Sequence, residues 1–177
     1  HSQPYPQEQF KVYGPLIKLP RVCEHKKIKY FYKFRTMHPY AEYIQQYVFD
    51  ARGGMDIADK SNDDWRITTW GRFMRKYWLD ELPMLINWIK RDMKLVGVRP
   101  ISKTMFDTYP EWLQEKRTLC KPGLIPPFYI DHPKTFDELF ASEDKYLTEY
   151  LAHPFRTDVK YFFLTMWSIL TRKTHSA

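Results

Sequence analysis

The stretch WGRFMRKYWLDELPMLINWIKRDMKLVGVRP, residues 70–100, contains two helical segments, an acidic pair at their junction and a β-prone run ending in an Arg-Pro corner. Thr69 can cap a helix that begins near Trp70. The spacing then predicts a second helix over 81–90, with Asp80 as its N-cap and Pro83 tolerated in the first turn. Residues 94–98 read as a strand. Arg72 and Arg75 precede the Asp80-Glu81 pair, and Arg91 and Arg99 follow it. Carboxylates among cations are what a divalent metal and a multiply charged phosphate substrate need together, so the stretch reads as a phosphoryl-handling site.

Working outward, residues 1–27 carry Pro4, Pro6, Pro15 and Pro20 and read mostly as irregular, with a short strand around Leu16 and Ile17. In residues 28–35, Ile28, Tyr30, Tyr32 and Phe34 alternate with Lys29, Phe31, Lys33 and Arg35, the pattern of a strand with one polar face. Residues 40–49 can form a short helix, and the Gly pair and polar content of residues 51–64 mark a loop. A helix is expected over 103–119. The segment TFDE, Thr135 to Glu138, fits a capping box that opens a helix to about Ala152. A last helix is expected over 157–171, with Phe162, Phe163, Met166, Ile169 and Leu170 on an apolar face. No repeat and no βαβ alternation is present. The fold class is therefore α+β, mainly helical with a small β-sheet or hairpin.

A chain of 177 residues suffices for one domain with a real core. The formal charge of +7 favours anionic partners such as nucleotides, phospholipid headgroups or nucleic acid. Aromatic residues make up 18% of the chain, which fits either a Tyr-rich core or an interface that is half apolar and half wet. Cys23 and Cys120 lie far apart without metal-ligand spacing, so free thiols are expected. The longest apolar run, residues 161–170, falls short of the roughly 20 residues that a membrane-spanning helix requires. The chain shows no signal peptide and begins without Met, as a fragment or trimmed chain would.

An acid at a helix start commonly just satisfies backbone N–H groups. Two adjacent carboxylates can instead divide the labour, one binding Mg²⁺ through oxygen while the other attacks or accepts a proton. An ionised Asp is a competent nucleophile towards phosphorus once arginines and a metal offset the anionic repulsion. In GVRP, Pro100 would stiffen the turn that presents Arg99 for a bidentate grip on phosphate. Arg72 and Arg91 read as solvated surface charges, and Lys33 and Arg35 fit a surface role equally well. A basic nucleic-acid-binding module is the competing class, but it has no use for an Asp-Glu pair, and no helix-turn-helix or zinc signature accompanies it.

The series KFRTM (33–37), DWRITTWGRFMRK (64–76), LDELPMLINWIKRDMKLVGVRP (79–100) and KPG (121–123) resembles the bacterial sugar transferase family. These are the polyprenyl-phosphate hexose-1-phosphate transferases, also called monotopic phosphoglycosyl transferases. The resemblance runs from about residue 28 to 172 and marks 28–177 as a catalytic domain, with 1–27 its irregular N-terminal segment. It implies transfer of a sugar-1-phosphate from a UDP-sugar donor to undecaprenyl phosphate with release of UMP, the step that begins O-antigen, capsule or exopolysaccharide synthesis.

The same resemblance implies that Asp80 attacks the β-phosphate to form a covalent phosphosugar intermediate, that Glu81 helps to bind Mg²⁺, and that kinetics are ping-pong. It places Arg75 and Arg99 on phosphates, gives Lys33, Arg35 and Arg66 substrate or supporting roles, and matches Asp158 to a recurrent family acid. The implied location is the cytoplasmic face of the bacterial inner membrane, with no nucleic acid as partner. Homo-oligomerisation stays open, and so does a catalytically silent scaffold, although the intact LDELP and Arg99 argue against silence.

Three departures stand out. GVRP replaces the family's usual GPRP, Trp65 replaces the proline of DPRIT, and LIPPFYIDHP (124–133) replaces the ITGLAQ-type continuation after KPG. The last puts sugar specificity and one wall of the site in question. The family's N-terminal hydrophobic helix has no counterpart in this stretch. Residues 161–173, apolar and aromatic with Arg172 and Lys173 at the end, fit either the headgroup zone of a membrane or a core-packing helix.

Overall fold

The computed structural model describes residues 14–42, 44 and 64–172. Within them the chain is α+β and mainly helical, with a two-stranded antiparallel sheet and a two-stranded parallel one. The antiparallel hairpin pairs β1 (Leu16–Val22) with β2 (Ile28–Phe34), setting Leu19 opposite Phe31 and Ile17 opposite Lys33. β1 is longer than the short strand expected inside an irregular segment. Pro20 does not break it, because that side of the strand faces outward. Two residues on, Val22 N–H donates across the same outer edge to Ile101 O, so proline forfeits no bond to β2.

The alternation in β2 is real, but its burial is reversed. Ile28 and Tyr30 are about half exposed, whereas Phe31 is 1% exposed. The face carrying Lys29, Phe31 and Lys33 turns inward, and this brings a lysine from the hairpin to the acidic pair.

Helix α1 (Thr69–Lys76) is capped by Thr68 rather than Thr69, Thr68 Oγ1 accepting from Gly71 N–H. Gly71 lies against the main chain of Thr36, where a Cβ would collide with the carbonyl. Glycine is what allows α1 to seat on the strand exit. After α1 the expected helix over 81–90 starts late. Trp78 adopts a left-handed conformation (φ 55°, ψ 17°) and turns the chain into a 3-10 turn at Leu79–Glu81. Pro83, without an N–H to extend that turn, starts α2 (Met84–Ile89) instead. Asp80 therefore caps no helix.

β3 (Lys94–Val96) runs parallel to β4 (Gly123–Ile125). Gly97 and Gly123 face each other so closely that a Cβ on Gly123 would collide with the main chain of Gly97, which is the physical need for glycine in KPG. The helix expected over 103–119 is two helices, α3 (Lys103–Asp107) and α4 (Glu111–Arg117), because Pro110 cannot continue the first. α5 (Phe128–Asp131) follows β4. In α6 (Phe136–Ala152) Thr135 Oγ1 accepts from Glu138 N–H, while Glu138 Oε2 accepts from Lys134 N–H, one residue before the usual partner. α7 (Pro154–Arg172) begins three residues early, with proline in its first position.

The larger core joins β3, α4, α6 and α7 through Val96, Leu113, Tyr146, Leu147 and Tyr161. A smaller one under the hairpin joins Cys23, Phe31, Met84 and Met93. Both cysteines are buried free thiols. No helix among the described residues is long and apolar enough to cross a membrane. Of the helix expected over 40–49, residues 40–42 lie in a 3-10 turn at Pro39–Glu42 and the rest apart from residue 44 fall outside the described residues, as does the loop over 51–64 apart from Asp64.

α7 divides differently from its apolar pattern. Thr157, Tyr161, Thr165 and Ser168 are buried, at helical spacing on one side, while Phe163, Trp167 and Leu170 are exposed on another. Phe162, Met166 and Ile169 sit half-buried between these two sides.

Candidate active site

Four segments distant in sequence meet at Glu81. β2 supplies Lys33, whose Nζ donates to Glu81 Oε1 at 2.6 Å. The corner after β3 supplies Arg99, whose Nη2 donates to the same oxygen at 2.6 Å. The 3-10 turn between α1 and α2 carries Asp80 and Glu81 themselves. β1 adds Leu19 and Arg21 to the wall of a recess that Lys33, Glu81 and Arg99 also line. Its other sides are Phe31, Met84 and the chain around Gly123, Leu124 and Pro126.

The two carboxylates have different environments. Burial alone would raise the Glu81 carboxyl, but Arg99 and then Lys33, by charge and hydrogen bond, outweigh it and bring its pKa down to about 2. Burial raises the Asp80 carboxyl above the ordinary aspartate range; Lys33 opposes the rise and Glu81 adds to it. Asp80 is 8% exposed and makes no hydrogen bond to any described residue, its nearest cation being Lys33 Nζ at 4.0 Å from Oδ2. Lys33 is itself pressed below its usual range by burial and by Arg99. Glu81 is thus fixed as an anion, and Asp80 is a shielded carboxylate with its oxygens uncommitted.

The Asp-Glu pair suits a hard divalent cation. Both basic groups converge on Glu81 Oε1, leaving Oε2 and both Asp80 oxygens without hydrogen bonds among the described residues. Magnesium is commonly held by one or two carboxylates plus waters and substrate phosphates, so this donor set fits it. No group of three or more His, Cys, Asp or Glu side chains with metal-site geometry occurs among the described residues.

The remaining residues singled out by sequence separate. Arg75 Nε donates to Thr36 Oγ1 at 3.0 Å, and its charge still reaches Asp80. Arg35 Nε donates to Gly14 O at 3.2 Å, behind the hairpin end. Arg66 is 2% exposed and grips Asp64 through Nε and Nη2, at 2.9 and 2.5 Å, fixing the turn into α1. Asp158 is not among the residues at Glu81. It accepts from Lys94 Nζ at 2.9 Å and from Tyr146 O–H at 2.7 Å, a knot that ties β3 to α6 and α7. Arg72 and Arg91 are exposed.

Several supporting residues escaped the sequence reading. Arg117 Nη2 donates to Arg99 O at 2.7 Å, and its Nη1 pairs with buried Glu143, so the corner that carries Arg99 is anchored to α6. Asn87, fully buried, accepts from Tyr32 N–H at 3.0 Å and donates to Tyr30 O at 2.8 Å, extending the hairpin's hydrogen bonding into α2. Trp78 Nε1–H donates to Tyr129 O–H at 2.9 Å, with the two rings edge-to-face at 5.8 Å. That contact joins the turn carrying Asp80 to the 124–133 segment.

A helix-rich α+β domain that gathers Glu81, a lysine and two arginines at one recess, with Asp80 4.0 Å from that lysine, has the charge layout of a site for an anionic ligand. The chain belongs to the bacterial sugar transferase family, whose profile matches residues 9–172. It is 34% identical over 153 residues to the galactosyl transferase CpsE of Streptococcus agalactiae, covering 85% of this chain and 33% of that protein. It is 38% identical over 108 residues to the undecaprenyl-phosphate galactose phosphotransferase of Salmonella typhimurium, covering 59% of this chain and 22% of the relative. The UDP-glucose:undecaprenyl-phosphate glucose-1-phosphate transferase of Caulobacter vibrioides is 36% identical over 94 residues, covering 52% and 31%. The chain thus spans a third or less of the length of each of these relatives.

The Trp78–Tyr129 bond predicts a measurable coupling. In a double-mutant cycle of Trp78→Phe and Tyr129→Phe followed by urea denaturation, the double variant should lose less stability than the sum of the singles. The expected difference is about 0.5–1.5 kcal/mol. Strict additivity would mean that the two rings do not hold each other.

Proposed function

We propose that this chain carries the catalytic site for transfer of a sugar-1-phosphate from a UDP-sugar to undecaprenyl phosphate, with release of UMP and a covalent intermediate on Asp80. The observation that carries this is the asymmetry of the acidic pair. Glu81 is locked by Lys33 and Arg99, whereas its neighbour is nearly buried and uncommitted. The names of the relatives, which include undecaprenyl-phosphate phosphotransferases acting with UDP-sugars, support the choice of donor and acceptor.

In the proposed sequence, an Asp80 oxygen attacks the β-phosphorus of the donor. The bond from that phosphorus to the bridging oxygen breaks, and UMP leaves with that oxygen. An oxygen of the lipid phosphate then attacks the same phosphorus, which restores the Asp80 carboxylate and forms the diphosphate-linked sugar. Dividing the transfer in two lets one pocket serve an aqueous and a lipid substrate in turn. Arg99 and Lys33, both bonded to Glu81, would offset charge on the transferring phosphoryl group, and Arg75 adds positive potential at Asp80. Magnesium bound at Glu81, with Asp80 beside it, would neutralise phosphate charge.

The exposed aromatic and apolar side chains of α7 would set this site against the lipid headgroup zone. Phe155, Phe163, Trp167 and Leu170 are 66–83% exposed, and Trp70 on α1 is 77% exposed. Apolar and aromatic side chains presented this way, on a chain of charge +7, suit an anionic cytoplasmic leaflet. Deleting α7 would also remove core residues such as Tyr161, so point changes are the cleaner probe. A Phe163→Ser, Trp167→Ser, Leu170→Ser variant should keep its fold yet lose flotation with phosphatidylglycerol-containing vesicles. Unchanged flotation would remove α7 from the membrane contact.

UMP release from UDP-sugars with undecaprenyl phosphate and Mg²⁺ tests the chemistry. Asp80→Asn should abolish turnover, by about four orders of magnitude or more. Glu81→Gln should cost about 10²–10³-fold. An Asp80→Asn enzyme that turns over normally would overturn the proposal.

A further inference from the structure

Arg21 is the basic residue at the recess for which neither the motif series nor the proposed chemistry has a use. It lies on the inward face of β1, opposite Lys29 in the ladder, and lines the recess with Lys33, Glu81 and Arg99. The other inward-facing cations nearby have carboxylate partners: Lys29 pairs with Asp92, and Lys33 and Arg99 with Glu81. Arg21 has none within ion-pair distance among the described residues. Its guanidinium makes one hydrogen bond, from Nη1 to Pro20 O at 2.9 Å. Among the described residues the remaining N–H donors are uncommitted, although the side chain is half-buried beside a second guanidinium. Burial, and then the charge of Arg99, press its pKa down to about 10, with Cys23 and Glu81 opposing the fall.

The recess encloses about 50 Å³, with Leu19, Phe31 and Met84 as apolar lining. That is room for about three to five water-sized groups, the scale of one phosphate group rather than of a nucleotide. Two guanidinium forks and an ammonium at a recess of that size, against one clamped carboxylate, leave a local excess of positive charge matched to a bound phosphate.

We propose that Arg21 is a substrate-binding residue whose free guanidinium donors take phosphate oxygens beside Arg99. This rests on the phosphoryl-transfer reading of the same site. A phosphoanhydride of a sugar nucleotide and the phosphate monoester of a lipid share this chemistry, so the test separates them.

The full chain is titrated calorimetrically with inorganic pyrophosphate, and separately with dodecyl phosphate in neutral detergent micelles, for wild type, Arg21→Gln and Arg21→Lys. Arg21→Gln should weaken at least one probe by about 10–100-fold, the loss of one charge-assisted contact. Arg21→Lys, which keeps the charge, should weaken it less, whatever either change does to Tm. Without probe, Arg21→Gln should melt no lower than wild type, because it relieves repulsion from Arg99. Loss confined to pyrophosphate assigns Arg21 to the donor, loss confined to dodecyl phosphate assigns it to the acceptor, and loss of both marks a shared subsite.

Wild-type chain that binds neither probe, or Arg21→Gln that binds both as tightly as wild type, overturns the assignment. The transfer reading falls on different data. Turnover that ignores Asp80→Asn would sink that reading and leave an Arg21-dependent anion site standing. Asp80-dependent turnover with Arg21-independent binding would do the reverse.

Discussion

The convergence of Lys33 and Arg99 on a single oxygen of Glu81 is the interaction on which the rest of the site depends. It closes the hairpin, the dyad turn and the Arg-Pro corner onto one point with two bonds of 2.6 Å. A carboxylate held by two cations cannot be neutralised by burial, so Glu81 remains an anion in surroundings that would otherwise protonate it. Its neighbour is relieved of that duty. Asp80 is shielded, close to positive charge and without a hydrogen bond among the described residues, which is the state a carboxylate needs if it is to attack phosphorus.

Much of the remaining fold keeps the two cations in place. Lys33 reaches the site because β2 turns its charged face inward and Asn87 bonds the strand edge to α2. Arg99 is held through its own carbonyl by Arg117, which is in turn paired with buried Glu143 of α6. Breaking a buried pair of this kind strands a charge, so the corner cannot relax without disturbing the main core. The tight Gly97–Gly123 approach and the Lys94–Asp158–Tyr146 knot fix β3 immediately before that corner. Trp78, in its left-handed turn, braces the dyad from the other side against Tyr129.

The elements are largely legible from local chemistry: a strand over 28–35, a threonine-capped helix near Trp70 (though its cap is Thr68, not Thr69), the TFDE cap, and the dyad between two helical stretches. The errors have local causes too. Pro110 and Pro83 divided or delayed helices that apolar spacing made continuous, and Pro20 was harmless only because it lies on an outer edge. The burial of β2 was misread because alternation says which residues share a face, not which face is inside. Arg66 and Asp158 belong to motif positions, yet their partners are Asp64 and the Lys94–Tyr146 pair, contacts with no signature in spacing. Some of what was missed had a trace. Glu143 stands on the buried stripe of Leu139 and Leu147, and Arg117 stands one turn after Leu113 on the buried side of α4. Arg21 continues the inward alternation of Ile17 and Leu19. A charge on an apolar stripe is a request for a partner, but the sequence does not say who answers it. Trp78 and Tyr129 left no such trace.

The central claim is the division of labour between two adjacent carboxylates, and the most direct measurement is of Asp80 itself. The protein in neutral detergent, mixed with UDP-sugar and Mg²⁺ in the absence of any lipid acceptor, should release about one equivalent of UMP in a burst. Acid quenching and peptide mass mapping should then find a hexose phosphate on the peptide bearing Asp80, and adding undecaprenyl phosphate should discharge it. Enzyme that turns over normally with lipid present, yet shows no burst and an unmodified Asp80 peptide without it, would contradict the account.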